Sequence, residues 1–77
     1  MQWKYLIANH ETPILFPAVI EHRIVAGNLR ITSAGFFATR IKNRKIVVST
    51  YGQSLSLGLE TDPDDAIIIE TFMNSRR

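Results

Sequence analysis

The sequence predicts an α+β fold: a small antiparallel β-sheet of four to six short strands, with a C-terminal α-helix packed on one face. Three observations support this class. Runs rich in aromatic and β-branched residues alternate with short polar turns. An Asp-Pro-Asp-Asp cluster then precedes an apolar pattern with a 3.6-residue period. The connections between strands are too short for the repeated crossovers of a parallel sheet.

The length of 77 residues predicts a single domain, residues 1–77, that buries only about 60% of the surface of its unfolded chain. No cysteine is present to form a disulfide or a thiolate metal site. Small domains without such cross-links often gain burial by pairing with a second copy or another protein. No apolar run reaches the roughly 20 residues of a membrane span, so we expect a cytoplasmic protein with no membrane partner.

The N-terminal segment predicts two strands. Trp3 to Ala8 is the first, with odd-numbered side chains on one face and even-numbered side chains on the other. The polar stretch from Asn9 to Thr12 predicts a turn. Pro13 to Phe16 is a short apolar piece between two prolines, which donate no backbone hydrogen bond, so it predicts an edge strand or an extended connection.

Residues 18–26 are compatible with either a strand or a helix. In a helix, Pro17 would suit the first turn and Gly27 would suit the position after the end. Gly27-Asn28 also suits a type II′ hairpin turn, which favours a strand with Leu29 to Thr32 as its return. Ser33-Ala34-Gly35 is expected to interrupt the strand pattern.

The middle of the chain predicts three further strands. Phe36 to Ile41 and Ile46 to Tyr51 are rich in aromatic and β-branched residues, and a polar loop joins them. After a turn at Gly52-Gln53, leucines 55, 57 and 59 alternate with small residues, which predicts a half-buried strand.

The acidic cluster predicts a helix start. Asp62 is expected to act as the N-cap and Pro63 as the first helical residue, with Thr61 and Asp64 as an alternative capping pair. Acids in the first turn complement the helix dipole, and we favour this role over a metal site. The helix is expected to fray from Asn74 to Arg77. Its apolar side comprises Ala66, Ile68, Ile69, Phe72 and Met73, and Ile67 falls opposite.

A compact basic hairpin tip is the candidate for binding nucleic acid. It comprises Arg40, Lys42, Arg44 and Lys45 and is flanked by the aromatic residues Phe36, Phe37 and Tyr51. Strand aromatics are usually core residues, charged hairpin tips are usually solvated, and the net charge is only +2. Nucleic-acid binding is therefore the alternative function and not the leading one.

Catalytic motifs are missing from the sequence, which predicts a protein that is not an enzyme and uses no cofactor. The two histidines, His10 and His22, each adjoin a glutamate, an arrangement more typical of surface residues than of a catalytic base. No serine lies in a nucleophile-elbow motif, and no glycine-rich phosphate loop is present.

Protein–protein binding is therefore the leading functional hypothesis, with a homodimer as one form of it. Ile67, Arg40 and Arg44 are the candidate contact residues, because Ile67 projects from the polar side of the helix. Replacing Ile67 with glutamate is expected to leave the monomer folded and to weaken association. The segment from Pro13 to Phe16 could accept another strand at its edge.

Three segments resemble a group of small uncharacterised proteins encoded by tailed bacteriophages and bacterial prophages. The segments are Ser33-Ala34-Gly35-Phe36, the run from Tyr51 to Leu59, and Pro63-Asp64-Asp65-Ala66, with Phe16-Pro17 and His22 as further matches. The chain departs from the group's pattern at Gln53, where an acid is expected, and at Glu60-Thr61, which replaces a basic pair. The resemblance implies a phage or prophage origin, a bacterial cytoplasm and a bacterial host or phage protein as partner, and it implies no activity.

Overall fold

A computed structural model describes residues 2–75, and Arg76 and Arg77, expected at the frayed helix end, lie outside the described residues. Four strands form an antiparallel sheet in the order β2-β1-β3-β4, and β5 and β6 form a second, two-stranded sheet. The predicted α+β class, with a C-terminal helix against an antiparallel sheet, is confirmed. The elements are β1 (Trp3–Ala8), β2 (Thr12–Pro17), α1 (His22–Ala26), β3 (Ile31–Lys42), β4 (Lys45–Tyr51), β5 (Gln53–Ser54), β6 (Leu59–Glu60) and α2 (Asp65–Ser75).

The four-stranded sheet has apolar side chains on both faces. The face that packs against α2, here called the helix face, is built around Tyr5, Ile7, Phe37, Val48 and Ile69. The opposite face, here called the far face, is built around Leu6, Phe16, Ala26 and Ala34. The predicted alternation along the first strand is therefore confirmed. The far face is covered by α1 and by Leu57 and Leu59 of the β5–β6 segment, a covering that the sequence did not predict.

Both hairpins of the main sheet close with tight turns. Asn9 and His10 between β1 and β2 have φ angles of 52° and 64°, and Asn43 and Arg44 between β3 and β4 have φ angles of 52° and 65°. Two successive positive φ values define a type I′ turn, whose twist matches that of the flanking strands. The predicted turn after Ala8 and the predicted edge strand near Pro13 are both confirmed, since β2 lies at the edge of the sheet.

Replacing His10 with glycine is expected to raise the free energy of unfolding by about 1 kcal/mol, because a left-handed conformation strains a residue with a β-carbon. The backbone N–H of His10, which donates to Thr32 Oγ1 at 3.0 Å, is retained in the variant. Urea denaturation of the two proteins measures the difference. Glycine at Thr12 in β2 is the control and is expected to destabilise, so a loss of stability in His10→Gly would contradict the strain argument.

The strand preferred for residues 18–26 is wrong, because this segment contains the short helix α1. The helix buries His22 and Ala26 against the far face. Gly27 ends it with a φ of 51°, and its N–H donates to the Arg23 carbonyl at 3.3 Å. Gly27 therefore terminates a helix and does not form a hairpin, and the following strand pairs with β1 instead.

The predicted interruption at Ser33-Ala34-Gly35 is also wrong, since β3 continues through it from Ile31 to Lys42. All three residues are buried. Other parts of the chain approach the backbone closely there: a β-carbon added to Gly35 would lie 2.6 Å from Thr61 Cγ2. Small residues at these positions therefore mark close packing against the strand and not its end.

The predicted strand of alternating leucines is wrong as well. Residues 55–58 form a turn between the two short strands β5 and β6. The Leu57 N–H donates to Ser54 Oγ at 3.3 Å and the Gly58 N–H donates to the Leu55 carbonyl at 3.3 Å. Leu57 and Leu59 pack on the far face, whereas Leu55 is 83% exposed. The alternating pattern therefore comes from Leu57 in the turn and Leu59 in β6, and not from one continuous strand.

Side chains of α2 cover the outer edge of β4. The Val48 N–H donates to Glu70 Oε1 at 2.8 Å. The Asn74 Oδ1 accepts a hydrogen bond from the Ile46 N–H, and the Asn74 Nδ2 donates one to the Ile46 carbonyl, both at 3.0 Å. Asn74 and Ser75 are helical, so the predicted fraying does not begin at Asn74. These contacts block the edge that a further strand would otherwise use.

Candidate functional site

The acidic cluster forms the start of α2. The Asp64 N–H donates to Asp62 Oδ1 at 2.9 Å, and the Asp62 N–H donates to Asp65 Oδ2 at 2.8 Å. Asp62 therefore caps the turn that leads into α2, as predicted, whereas Pro63 is not the first helical residue, because the helix begins at Asp65. The predicted apolar side of α2 is confirmed too, because Ile69 is fully buried and Ile67 is 66% exposed.

Asp65 also joins the helix to the sheet. Its carboxylate is 1% exposed and accepts hydrogen bonds from the Tyr5 hydroxyl at 2.5 Å and the Ser33 hydroxyl at 2.8 Å. Burial, together with the neighbouring Asp65, raises the pKa of Tyr5 well above its usual range, so Tyr5 stays protonated and donates. Within residues 2–75, no three His, Asp or Glu side chains form a group that could hold a metal ion.

The basic residues lie on an arm that extends beyond the rest of the sheet. Pairing of β3 with β1 ends at Phe37, and residues 38–49 continue as a two-stranded arm. The register places Arg40, Lys42 and Lys45 on its far face, and Arg44 lies in the turn. All four are exposed, and residues 38–49 contain no acid. The structure therefore brings the predicted nucleic-acid set together.

The aromatic residues beside the arm are only partly available. Phe37 is 4% exposed on the helix face and belongs to the core. Phe36 and Tyr51 stack with ring centroids 5.6 Å apart and an angle of 19° between their planes. Tyr51, 42% exposed, is the member of that pair that could present a ring to a base.

The predicted protein-contact set is divided between two surfaces. Ile67 is on α2, which covers the helix face, whereas Arg40 is opposite Val47 on the far face of the arm. Arg44 is at the tip of the arm. A single flat contact cannot include both Ile67 and Arg40, because the sheet separates them.

The far face carries a cleft of about 460 Å³ between the start of α1 and the segment that follows β4. We call it the His22 cleft. Neither the spacing of its residues nor a local motif identifies it, because they come from four separate parts of the chain. Its lining comprises Lys4, Glu21, His22, Phe36, Gly52, Gln53, Leu55 and Ser56.

His22 is held in the wall of this cleft by three groups. Its ring packs edge-on against Phe16 and Phe36, with centroid distances of 5.4 and 6.0 Å. Its Nε2 lies 2.9 Å from the Gly35 carbonyl oxygen. A carbonyl only accepts, so Nε2 carries the proton and Nδ1 of the neutral ring is an acceptor. Burial lowers the pKa of His22 from its usual value, which keeps the ring neutral near pH 7.

The Nδ1 atom of His22 has no hydrogen-bond partner within residues 2–75. Every fully buried side-chain nitrogen or oxygen of residues 2–75 has a hydrogen-bond partner. His22 Nδ1 has no such partner within those residues, and His22 as a whole is only 3% exposed. The small exposed part of His22 therefore includes Nδ1, and His22 is one of the residues that line the cleft.

Lys4 lines the same cleft. Its Nζ donates to the Ile20 carbonyl at 2.9 Å and lies 5.7 Å from the centroid of the Phe36 ring. An ammonium group has three N–H donors, so two remain for a ligand or water. Lys4 is opposite Phe36 in the β1–β3 register, which fixes its position beside His22.

Exposed aliphatic side chains occur in the lining of the His22 cleft and in the chain segment that contains Glu21. Leu55, in its lining, is 83% exposed. Val19, 88% exposed, and Ile24, 67% exposed, lie two residues before and three residues after Glu21 of the lining. This surface is not predictable from the sequence, because the leucine alternation indicates a half-buried strand through Leu55 and residues 18–26 fit either a strand or a helix. The even-numbered face of the first strand, which holds Lys4, was the one available signal.

Comparison of the chain with protein-family models, curated proteins and solved structures gives no match. No helix within residues 2–75 is long and apolar enough to cross a membrane. The segments that carry the resemblance described above contact one another: Ser33 with Asp65, Gly35 with His22, and Phe36 with Tyr51.

Proposed function

We propose that the protein is a small non-catalytic binding protein of a phage or prophage that attaches to a bacterial host or phage protein in the bacterial cytoplasm. The surface around the His22 cleft is the observation that carries this proposal. Leu55 in the cleft lining is 83% exposed, and Val19 and Ile24, in the segment that contains Glu21 and His22, are each more than 60% exposed. An exposed apolar side chain at a concave site is typical of protein interaction surfaces, where a few anchors fill pockets and provide most of the affinity.

The origin is inferred from the resemblance of three segments to small proteins of tailed bacteriophages. A non-catalytic role is consistent with the use of the acid–base side chains in the fold. His22 donates its Nε2 proton to a backbone carbonyl, and Asp65 accepts from Tyr5 and Ser33. The Ser54 hydroxyl oxygen accepts from the Leu57 N–H. These groups position elements of the chain.

Replacing Leu55 with glutamate is expected to weaken partner binding at least tenfold, because a charge would have to be desolvated in an apolar contact. The exposed position predicts an unchanged fold. Affinity capture from a nuclease-treated bacterial host lysate, followed by mass spectrometry and a binding titration with the recovered protein, measures the effect. Ile41→Glu is the matched control, since Ile41 is 69% exposed on the helix face of the arm. Equal binding by both variants would contradict the proposal.

Self-association is a second form of the proposed binding and concerns Ile67. Because this side chain is 66% exposed on α2, glutamate there is expected to leave the monomer folded. If two copies pair through α2, Ile67→Glu lowers the mass measured by light scattering from that of a dimer to that of a monomer. An unchanged mass would rule out pairing through this residue.

Nucleic-acid binding is the second candidate, and the alignment of Arg40, Lys42 and Lys45 on one face of the arm favours it. Such a site is expected to lose affinity steeply as salt is added, with each phosphate contact contributing about 0.7 to 0.9 to the slope of log K against log salt concentration.

Replacing both Arg40 and Lys45 with serine is expected to reduce that slope by about 1.4 to 1.8. Fluorescence anisotropy with generic DNA and RNA at several salt concentrations measures it. Arg23→Ser is the control, because Arg23 is on α1 and is paired with Glu21 at 3.0 Å. Absence of binding at tens of micromolar protein in low salt would end this candidate.

A further inference from the structure

We infer that the His22 cleft holds a tyrosine side chain of the partner protein, with the phenol hydroxyl between His22 Nδ1 and Lys4 Nζ. The inference rests on the proposed function and specifies the anchor residue of the same surface. The cleft offers an unpaired acceptor at His22 Nδ1 and an ammonium group, Lys4, with donors to spare. A phenol hydroxyl donates one hydrogen bond and accepts another at the same oxygen, which matches both groups.

The walls of the cleft suit an aromatic ring behind that hydroxyl. Leu55 and Gly52 contribute apolar surface, and Phe36 lies beneath Lys4. The volume of about 460 Å³ leaves room for a phenol ring and its connecting chain. Tyrosine combines an apolar body with a polar tip, and it is enriched among the residues that dominate protein interfaces.

Other anchors match the cleft less well. An arginine would place a second cation beside the Lys4 ammonium. A tryptophan donates through its indole N–H but offers Lys4 no acceptor, and a phenylalanine leaves both polar groups without a partner. A carboxylate accepts from Lys4 but cannot donate to Nδ1 of a neutral His22. Burial lowers the pKa of His22, so the ring keeps its acceptor near pH 7.

Two charged side chains line the cleft together with His22. Lys4 on β1 faces it from the sheet, and Glu21 lines the cleft at the start of α1. The Glu21 carboxylate already accepts from Arg23 Nε at 3.0 Å. One Glu21 oxygen is thus paired with Arg23, and both of those side chains are more than half exposed. Lys4 lies over the Phe36 ring, which also contacts His22.

The test is an NMR titration of the full chain with N-acetyl-tyrosinamide, compared with N-acetyl-phenylalaninamide. The tyrosine compound is expected to bind with a dissociation constant on the order of 1 mM, typical of one isolated anchor. It is expected to shift the ¹⁵N resonance of His22 Nδ1 and the signals of Gln53 and Leu55. The phenylalanine compound is expected to bind about tenfold more weakly, because it leaves the two polar groups unpaired.

A substitution at Lys4 distinguishes specific hydrogen bonding from nonspecific apolar binding. In Lys4→Met the preference for tyrosine over phenylalanine is expected to fall to about threefold or less, since one of two hydrogen bonds is lost. Should Lys4→Met unfold, the comparison of the two amides on the unchanged chain still decides the matter. Equal affinity for both compounds, or binding without a shift of His22 Nδ1, overturns the inference.

Failure of the tyrosine inference can be distinguished from failure of the proposed function. If Leu55→Glu abolishes partner capture but N-acetyl-tyrosinamide does not touch His22, the proposed function stands and the tyrosine anchor is wrong. If the tyrosine compound binds at His22 and Leu55→Glu leaves partner capture unchanged, the cleft recognises a phenol but is not the surface that attaches the protein to its partner, which also overturns the inference.

Discussion

The variant Asp65→Ala is expected to lose about 3 to 5 kcal/mol of the free energy of unfolding. Three hydrogen bonds end at the Asp65 carboxylate, from Tyr5, Ser33 and the Asp62 backbone. Tyr5 is fully buried and Ser33 is 4% exposed, so water cannot replace the lost acceptor. A domain of 77 residues has a total stability of about 4 to 12 kcal/mol, so this single change would leave much of the population unfolded.

Thermal and urea denaturation followed by circular dichroism measure this loss. Asp64→Ala is the control, because Asp64 is the neighbouring acid but is exposed. Losing its favourable position near the helix N-terminus is expected to cost only about 0.5 kcal/mol. Equal losses in the two variants would show that Asp65 acts through the helix dipole alone and not as the joint between α2 and the sheet.

The variant Gly35→Ala is expected to lose about 2 to 3 kcal/mol through overpacking. A β-carbon there would lie 2.6 Å from Thr61 Cγ2 and 2.9 Å from the Tyr51 carbonyl oxygen. The second contact is with backbone, which cannot move without disturbing the end of β4. The Gly35 carbonyl also holds the His22 ring, so the same shift is expected to loosen the wall of the His22 cleft.

Chemical denaturation compares this variant with Gly58→Ala. At Gly58 the φ angle is 65° and no other atom lies within 4 Å of the added β-carbon, so only backbone strain of about 1 kcal/mol is expected. A loss in Gly35→Ala no larger than that in Gly58→Ala would contradict the close-packing argument. The His22 signals in the NMR spectrum report the cleft separately.

The parts of the fold that were predicted correctly are those governed by local chemistry. The alternation from Trp3 to Ala8 assigns both faces of β1, because strand side chains alternate whatever the rest of the chain does. The capping role of Asp62 and the apolar period of α2 depend on neighbours within a few residues. Such signals can be read from one sequence.

The parts that were predicted wrongly depend on contacts with distant segments. α1 has five residues, and Glu21 before it makes no side-chain capping bond, so it carries almost no local helix signal. It forms because His22 and Ala26 pack on the far face. The strand through Ser33-Ala34-Gly35 requires small residues because Asp65 and Thr61 approach there, and only the tertiary structure reveals that reason.

The His22 cleft could not be predicted for the same reason. Lys4 and Phe36 meet through strand pairing, and His22 reaches them across a chain separation of at least 14 residues. Pairing also explains how the fold supports the site. Tyr5 and Gly35 are partners in the register next to Lys4 and Phe36. Tyr5 holds α2 through Asp65 on the helix face, while Gly35 holds His22 on the far face.

Site-specific photo-crosslinking in a bacterial host tests most directly whether the His22 cleft is the binding surface. A photoreactive residue replaces Leu55, Ile67 or Arg40 in turn, positions that lie at the cleft, on α2 and on the basic arm. We expect discrete protein adducts from position 55, and none from position 67 except a crosslink between two copies. Partner adducts confined to position 67, or nuclease-sensitive adducts confined to position 40, would contradict the account.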